Sequence, residues 1–527
     1  MMDKHPVIEW SSKRYLLVDD FGGVLRLLRD MLNHYGVARI DTAENGSQAI
    51  ALLEKNQYDV VLCDHNLGRG KNGQQILEEA KHRDLIGLTC IWLIVSAEKT
   101  MESVMGSAEL APDGYILKPI TEKLLIARLN RAWEKKQVFI DIDKAYAIKN
   151  YARAIQLCDR QLAGDTIHTM DLLRMKANLL LKIGELDQAR AVFEHALAER
   201  DQVWSKTGLA KLHIHAGDYR AAANLLYDVL EDNPSYIDAY DQLALALEQM
   251  GELNEAEQVL EKVARLSPNS VARQRKLGEI SLKLGNVDLA EAAFSKCVAI
   301  GEHSIFKTPD PYLGLAQVYK TKRLPTKALQ MLNTVQAAFD SDAVRLRAKV
   351  AESQIYSSNG QTFKARQAAE EVRQMLAETD EKPVGETCLE VAQLMIAIGD
   401  MDTTAELLAD IVANNAGDER LLKEAQEMYE QVGLGTEGAE FIEATLQETR
   451  EMEELTEIAE WERTVKETLP PNVCALFDRA QVLIQYMRDH GRTLALAEET
   501  RAIIRKTEQL VPGQKRSAQL MKMLEEL

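Results

Sequence analysis

The sequence predicts an α/β doubly wound five-stranded parallel sheet followed by an all-α superhelix of stacked helix pairs. Three observations carry that reading. Up to about residue 137, short apolar runs alternate with amphipathic stretches, the pattern of buried strands joined by crossover helices. After about residue 138 the strand-like runs stop, and a repeat of 33 to 34 residues takes over. Glycine and proline number only 28 and 12 of 527 residues, less punctuation than an all-β chain needs.

In chain order, the strand-like runs are Tyr15–Val18, Ala38–Thr42, Asp59–Cys63, Cys90–Val95 and Tyr115–Leu117. Each is aliphatic or β-branched with little polar alternation, as expected for strands buried on both faces. Between and after them, Val24–His34, Ser47–Lys55, Gly73–His82 and Thr121–Lys135 have helical periodicity. In such sheets ligands sit outside the carboxyl ends of the strands, so the chemistry is sought there.

Beyond residue 138, Gly184, Gly217, Gly251 and Gly285 recur at near-constant spacing. Five residues after each stands Ala189, Ala222, Ala256 or Ala290, and four further on Phe193, Leu226, Leu260 or Phe294. The glycine ends one helix in the left-handed conformation, the alanine lets the next helix approach its partner, and the large residue fills the space alongside. Pro234 and Pro268 stop the second helix of their units. With the earlier small column Ala177, Ala210, Ala244 and Gly278, these positions resemble the tetratricopeptide repeat. The organisation expected is a first domain over 12–137, a repeat array over 138–410, and diverged helical repeats with a C-terminal cap over 411–527. The insertion Gly301–Pro311 lengthens one junction, and the acidic stretch Glu448–Glu467 is read as a solvated helix face. No proline or glycine falls between Thr121 and Ile155, while Leu125, Leu129 and Trp133 form one stripe. A continuous or nearly continuous helical passage into the array is therefore expected, the alternative being a short turn near Asp141–Asp143.

Polar residues of particular kinds close the strands of the first domain. Asp19 and Asp20 follow the first, Asp64 the third, Ser96 the fourth, and Lys118-Pro119 the fifth. Carboxylates converging at one sheet edge repel one another and call for a hard divalent cation such as Mg²⁺. A carboxylate beside such an ion can act as nucleophile toward a phosphoryl group. The segments YLLVDDF, DVVLCDHN, LIVSAE and GYILKPI together resemble the response-regulator receiver domain over residues 12–137. That resemblance implies Asp64 as phospho-acceptor, with Asp19, Asp20, Asp64 and the carbonyl of Asn66 as the protein's share of a Mg²⁺ shell. It makes Ser96 the switch hydroxyl, Lys118 the phosphate-neutralising lysine and Tyr115 the rotating aromatic. It further implies Asn66 and Glu98 as positions tuning hydrolysis, and a cis peptide at Lys118–Pro119. The chain departs from the family at Gly68, where proline is usual, and at Gly73, a glycine arriving one place late. The implied relay runs from Ser96 and Tyr115 to the face around Met101–Ala111 and Leu124–Trp133.

Composition narrows the functions further. Net charge is −19, the acidic excess falls almost wholly after residue 137, and no basic tract appears, so no nucleic-acid partner is expected. The six cysteines, Cys63, Cys90, Cys158, Cys297, Cys388 and Cys474, form no CxxC pair, which suits a reducing compartment. No run is apolar enough for a membrane span and the N-terminus lacks an apolar leader, so a cytoplasmic protein with no membrane partner is expected. His65 is read as a surface loop histidine, and His213 and His215 as poor joint metal ligands. No nucleotide-binding loop, zinc-protease or kinase motif occurs, and no enzyme is expected.

The combination reads as a two-component signal-transduction response regulator. A histidine kinase or phosphotransfer protein would phosphorylate Asp64, and the repeats would then change a protein partner or their self-association. The alternative is a phosphorylation-independent scaffold whose receiver only docks. Candidate groove residues are Arg174, Asn178, Lys211, Asp241, Arg275, Glu279 and Gln317, a mixture that favours no ligand class.

Overall fold

The computed structural model describes residues 9–97, 112–164, 167–200, 202–378, 382–449, 452, 471–490, 494–510 and 515–525. The chain divides into two compact units, Met1–Glu371 and Val372–Leu527.

The first unit begins with strands β1 (Arg14–Val18), β2 (Arg39–Ala43), β3 (Val60–Asp64), β4 (Ile91–Ser96) and β5 (Gly114–Leu117). They form one parallel sheet in the order β2-β1-β3-β4-β5. β1, β3 and β4 are buried almost throughout, but β2 is half exposed because it is the edge strand. Successive side chains go to opposite faces. Tyr15, Leu17, Leu62 and Leu93 meet α1 (Gly22–His34) and the C-terminal receiver helix Glu122–Lys136 on one side. Leu16, Val18, Val61, Cys63, Trp92 and Ile94 meet α2 (Gly46–Lys55) and α3 (Gly73–His82) on the other. Asn45 caps α2, Thr121 caps the helix Glu122–Lys136, and Asn72 closes a reciprocal capping box with Gln75 on α3.

The passage into the array is nearly continuous, as its composition led us to expect. One 3₁₀ turn, Gln137–Phe139, separates the last receiver helix from the helix Ile140–Ala147. The break comes at residues 148–150, where Lys149 takes φ +57°, and not at Asp141–Asp143. Asp143 instead accepts hydrogen bonds from Leu88 N (2.9 Å), Thr89 N (3.0 Å) and the Thr89 hydroxyl. Leu88 packs with Val138, Ile142, Ala145 and Leu157, so the first helix pair shares its core with the receiver.

Helix pairs follow, from Thr169–Lys182 with Leu186–Glu199 to Asp310–Thr321 with Pro325–Ala338. Gly184, Gly217, Gly251 and Gly285 adopt φ between +75° and +81° at the turns, with open space where a side chain would be. Their role is purely conformational. The alanine columns and Phe193, Leu226, Leu260 and Phe294 are buried. The Phe294 ring lies so close to Gly278 and Gly314 that a Cβ there would come within 2.6 and 2.5 Å of it.

In the second unit, Gly385–Ile398 pairs with Met401–Asn414, and Glu419–Gln431 is followed by a helix over 435–449. A separate core joins Pro471–His490, Leu494–Leu510 and Lys515–Glu525 through Phe477, Ile484, Ile504, Leu520 and Leu524. The acidic stretch Glu448–Glu467 lies almost entirely outside the described residues.

Candidate functional site

The carboxyl edge of the sheet gathers the residues that the sequence placed at strand ends. Asp64 and Ser96 are the last ladder residues of β3 and β4, opposite Val95 and Leu117. Carboxylate oxygens of Asp19, Asp20 and Asp64 lie within 4.8 Å of one another. Asp19 and Asp64 are buried, and Asp20 faces outward. Lys118, just beyond β5, donates from Nζ to Asp19 Oδ2 (2.8 Å) and Asp64 Oδ2 (2.7 Å). Asp19 Oδ1 accepts from Phe21 N (2.9 Å), which fixes the carboxylate against the start of α1. The Lys118–Pro119 peptide is cis.

The electrostatics oppose one another. Burial pushes the Asp64 carboxyl above its usual range and Asp19 adds to the push, while Lys118 and the Asn66 amide pull it down. For Lys118, burial lowers the ammonium's pKa, but hydrogen bonds to Asp19 and Asp64 more than offset it, and the net direction is upward. Three carboxylates and one ammonium leave an excess of negative charge at one point. Clustered hard oxygens of this kind fit a small divalent cation.

The departures from the family pattern now have a physical account. Gly68 adopts φ +70°, which proline cannot, since its ring fixes φ near −65°. Its N–H reaches Asn66 Oδ1 (3.2 Å), and a Cβ on it would stand 3.3 Å from Asp20 Oδ2. The longer loop is thereby folded back over the acidic group, and Gly70 adds a second positive φ of +103°. Gly73, the late glycine, starts α3 where a Cβ would be 2.1 Å from the Asp64 carbonyl oxygen. Only glycine lets α3 start that close to the end of β3.

Ser96 is buried, and its carbonyl accepts from Lys118 N (2.8 Å). Tyr115 is half-buried beside the cluster containing Trp92 and Ile94, with its hydroxyl oxygen inside. Glu98 and the segment Met101–Ala111 lie outside the described residues. His65 corrects the reading made from sequence: it is buried, because its backbone continues the β3–β4 ladder through Val95 O and receives Gly73 N. His213 sits 3.4 Å from Asp218, and His215 is exposed.

Most of the charged groove candidates pair with neighbours in consecutive units. Lys211 bridges to Asp238 (2.8 Å), and Asp241 accepts both arms of the buried Arg273 (2.8 and 2.7 Å). Arg275 reaches Asp310 (3.4 Å) and Glu279 (3.7 Å), while Arg347 holds the other oxygen of Asp310 (2.8 Å). Apart from the Arg275–Glu279 pair within one helix, these contacts are struts between helices of successive units.

Residues 15–130 match the response regulator receiver domain, and residues 174–238 and 213–277 match tetratricopeptide repeat families. The chain is 30% identical over 131 residues to chemotaxis protein CheY-3 of Vibrio cholerae serotype O1, an alignment covering 24% of this chain and 95% of that one. It is 25% identical over 122 residues to chemotaxis protein CheY of Pseudomonas aeruginosa, covering 23% and 97%. Among solved structures, a tetratricopeptide repeat protein from Parabacteroides merdae is 16% identical, covering 49% of this chain and 98% of its own, with a TM-score of 0.40. A doubly wound sheet with an acidic, lysine-bearing carboxyl edge defines the receiver class of signalling domain. The chain belongs to the response-regulator family, with a receiver at its N-terminal end and tetratricopeptide repeats after it.

Proposed function

We propose that the protein is a phosphorylation-controlled adaptor of a two-component pathway, phosphorylated on Asp64, and that it is not an enzyme acting on a metabolite. The observation that carries this is the pairing of Lys118 with both Asp19 and Asp64 beside Asp20. An Asp64 carboxylate oxygen attacks the phosphorus of a phosphohistidine on a histidine kinase or phosphotransfer protein. The new P–O bond forms as the P–N bond breaks, and the departing imidazole nitrogen takes a proton from water. Lys118 then neutralises phosphoryl oxygens, and the Ser96 hydroxyl donates to one of them. Asp19, Asp20, Asp64 and the Asn66 carbonyl are the residues that would hold Mg²⁺, which when bound would supply charge neutralisation for the phosphoryl group. The repeats carry the output by binding a protein partner or a second copy of the chain. The struts along the first helices keep that array stiff. The setting is cytoplasmic. No described helix is long and apolar enough to cross a membrane.

Intact-mass measurement with a small acyl-phosphate donor and Mg²⁺ tests the reading. One phosphoryl adduct in the wild type, absent in Asp64→Asn, is expected. A folded wild-type receiver that takes no adduct refutes it. A scaffold that merely docks would keep its partner when Asp64 is replaced.

A further inference from the structure

The receiver touches the array at a second place, far from the covalent junction. Gln75, in the first turn of α3, donates from Nε2 to the carbonyl oxygen of Ile300 (2.8 Å) across 225 positions of sequence. Ile300 lies at the end of the helix Val287–Gly301, where backbone carbonyls have no intrahelical partner. At the other end of α3, the His82 ring meets Phe306 edge-on at 5.0 Å. Phe306 belongs to the insertion Gly301–Pro311. The N-terminus of one helix thus faces the C-terminus of another, which their dipoles favour.

The same Gln75 also serves the phosphoacceptor loop. Its Oε1 accepts from Asn72 N (3.0 Å), while its own N–H donates to Asn72 Oδ1 (2.9 Å). One residue further along, Gly73 N donates to His65 O (2.9 Å) and packs without clearance on the Asp64 carbonyl. A single amide therefore reads the loop with its oxygen and holds the array with its nitrogen. We propose that α3 is a latch gripping the insertion of the repeat array, and that phosphorylation of Asp64 opens it. The inference rests on the phosphoacceptor reading of Asp64 given above.

The direction follows from the lack of slack. The loop over 65–72 follows Asp64 directly, with Gly68 beside Asp20, and Gly73 at its end carries any movement of that loop to α3. The Gln75 amide cannot keep bonds of 3.0 and 2.8 Å to two bodies that move apart. A cleft of about 210 Å³ runs beside this contact, lined by Gln74, Glu78, Asn269 and His303 among others. Among the described residues, the buried Gln74 Oε1 has no hydrogen-bond partner.

Hydrogen exchange on the full-length protein tests the latch in four states: wild type, wild type with Mg²⁺ and beryllofluoride, Phe306→Ala and Gln75→Leu. Fluorine resonance of bound beryllofluoride reports the adduct independently. Phe306→Ala, remote from the acidic site, should raise exchange in α3 roughly fivefold, the factor expected for one lost aromatic pair. Gln75→Leu should do the same for residues 299–306. The adduct should reproduce both changes in the wild type. An adduct with exchange unchanged in α3 and the insertion overturns the latch and leaves the phosphoacceptor standing. Absence of the adduct overturns both. Unchanged exchange in both variants shows that the contact holds nothing.

Discussion

Replacing Gly73 with alanine sets two effects of known size against each other. Alanine favours a helix over glycine by up to about 1 kcal/mol, and Gly73 is the first residue of α3. Its Cβ, however, would stand 2.1 Å from the Asp64 carbonyl oxygen, 3.0 Å from the carbonyl carbon and 3.1 Å from Cys63 Sγ. Ordinary carbon–oxygen contacts begin near about 3.3 Å, so α3 or the end of β3 must retreat by more than about 1 Å. The obstacle is backbone in a buried ladder and cannot rotate away. Overpacking of this kind costs about 1–3 kcal/mol, so the variant is destabilised on balance. The strain falls on the carbonyl of Asp64 itself. A misplacement of that order should weaken adduct formation by roughly ten- to a hundredfold. Gly22→Ala is the control: it lies in the first turn of α1 with nothing within 4 Å of its Cβ, and should gain roughly 0.5–1 kcal/mol. Urea unfolding of the receiver, followed alongside a beryllofluoride titration with Mg²⁺, measures both quantities. If Gly73→Ala proved as stable as Gly22→Ala and bound the adduct equally well, the close-approach argument would be wrong.

Two further outcomes follow from polar groups joining neighbouring elements. Asp143→Ala strands Leu88 N and Thr89 N and should cost about 1–3 kcal/mol, seen as faster exchange across residues 87–89 and 140–147. Burial alone would raise the Asp310 carboxyl, but Arg347 and Arg275 outweigh it and hold it below the usual carboxylate range. A depressed folded value means stability that is complete above the unfolded carboxyl pKa, near about 4, and is lost as pH falls through the folded one. Asp310→Asn should therefore be less stable than wild type at neutral pH, with the difference closing on acidification. A gap that widened toward low pH would contradict the sign.

Much of this was legible in the sequence because it is local and periodic. Each of the five strands and the helices around them lies within two residues of the segments that composition marked. Asp64 and Ser96, read as closing their strands, are the final ladder residues of β3 and β4. The repeat columns were equally plain, because one geometry recurs and each deviation shows against it. Gly278 looked like a small-residue position, and the Phe294 ring against it explains why. Non-local contacts were not legible. Asp143 read as one more acidic residue on a helix, yet it fastens the receiver's loop 87–89. His65 looked like a loop residue because no pattern records that the ladder continues through it. The insertion Gly301–Pro311 read as a lengthened junction, and nothing in its sequence points to His82, 224 positions before Phe306.

That separation has a consequence during synthesis. The sheet pairs strands that all lie before residue 118, so the receiver can fold as soon as its last helix emerges from the ribosome. The carbonyl that Gln75 grips arrives more than 160 residues after Lys136. At about 5–20 residues per second, the nascent receiver spends roughly ten to thirty seconds folded and unclasped. Throughout that interval α3 and the loop that follows Asp64 have no array to hold them.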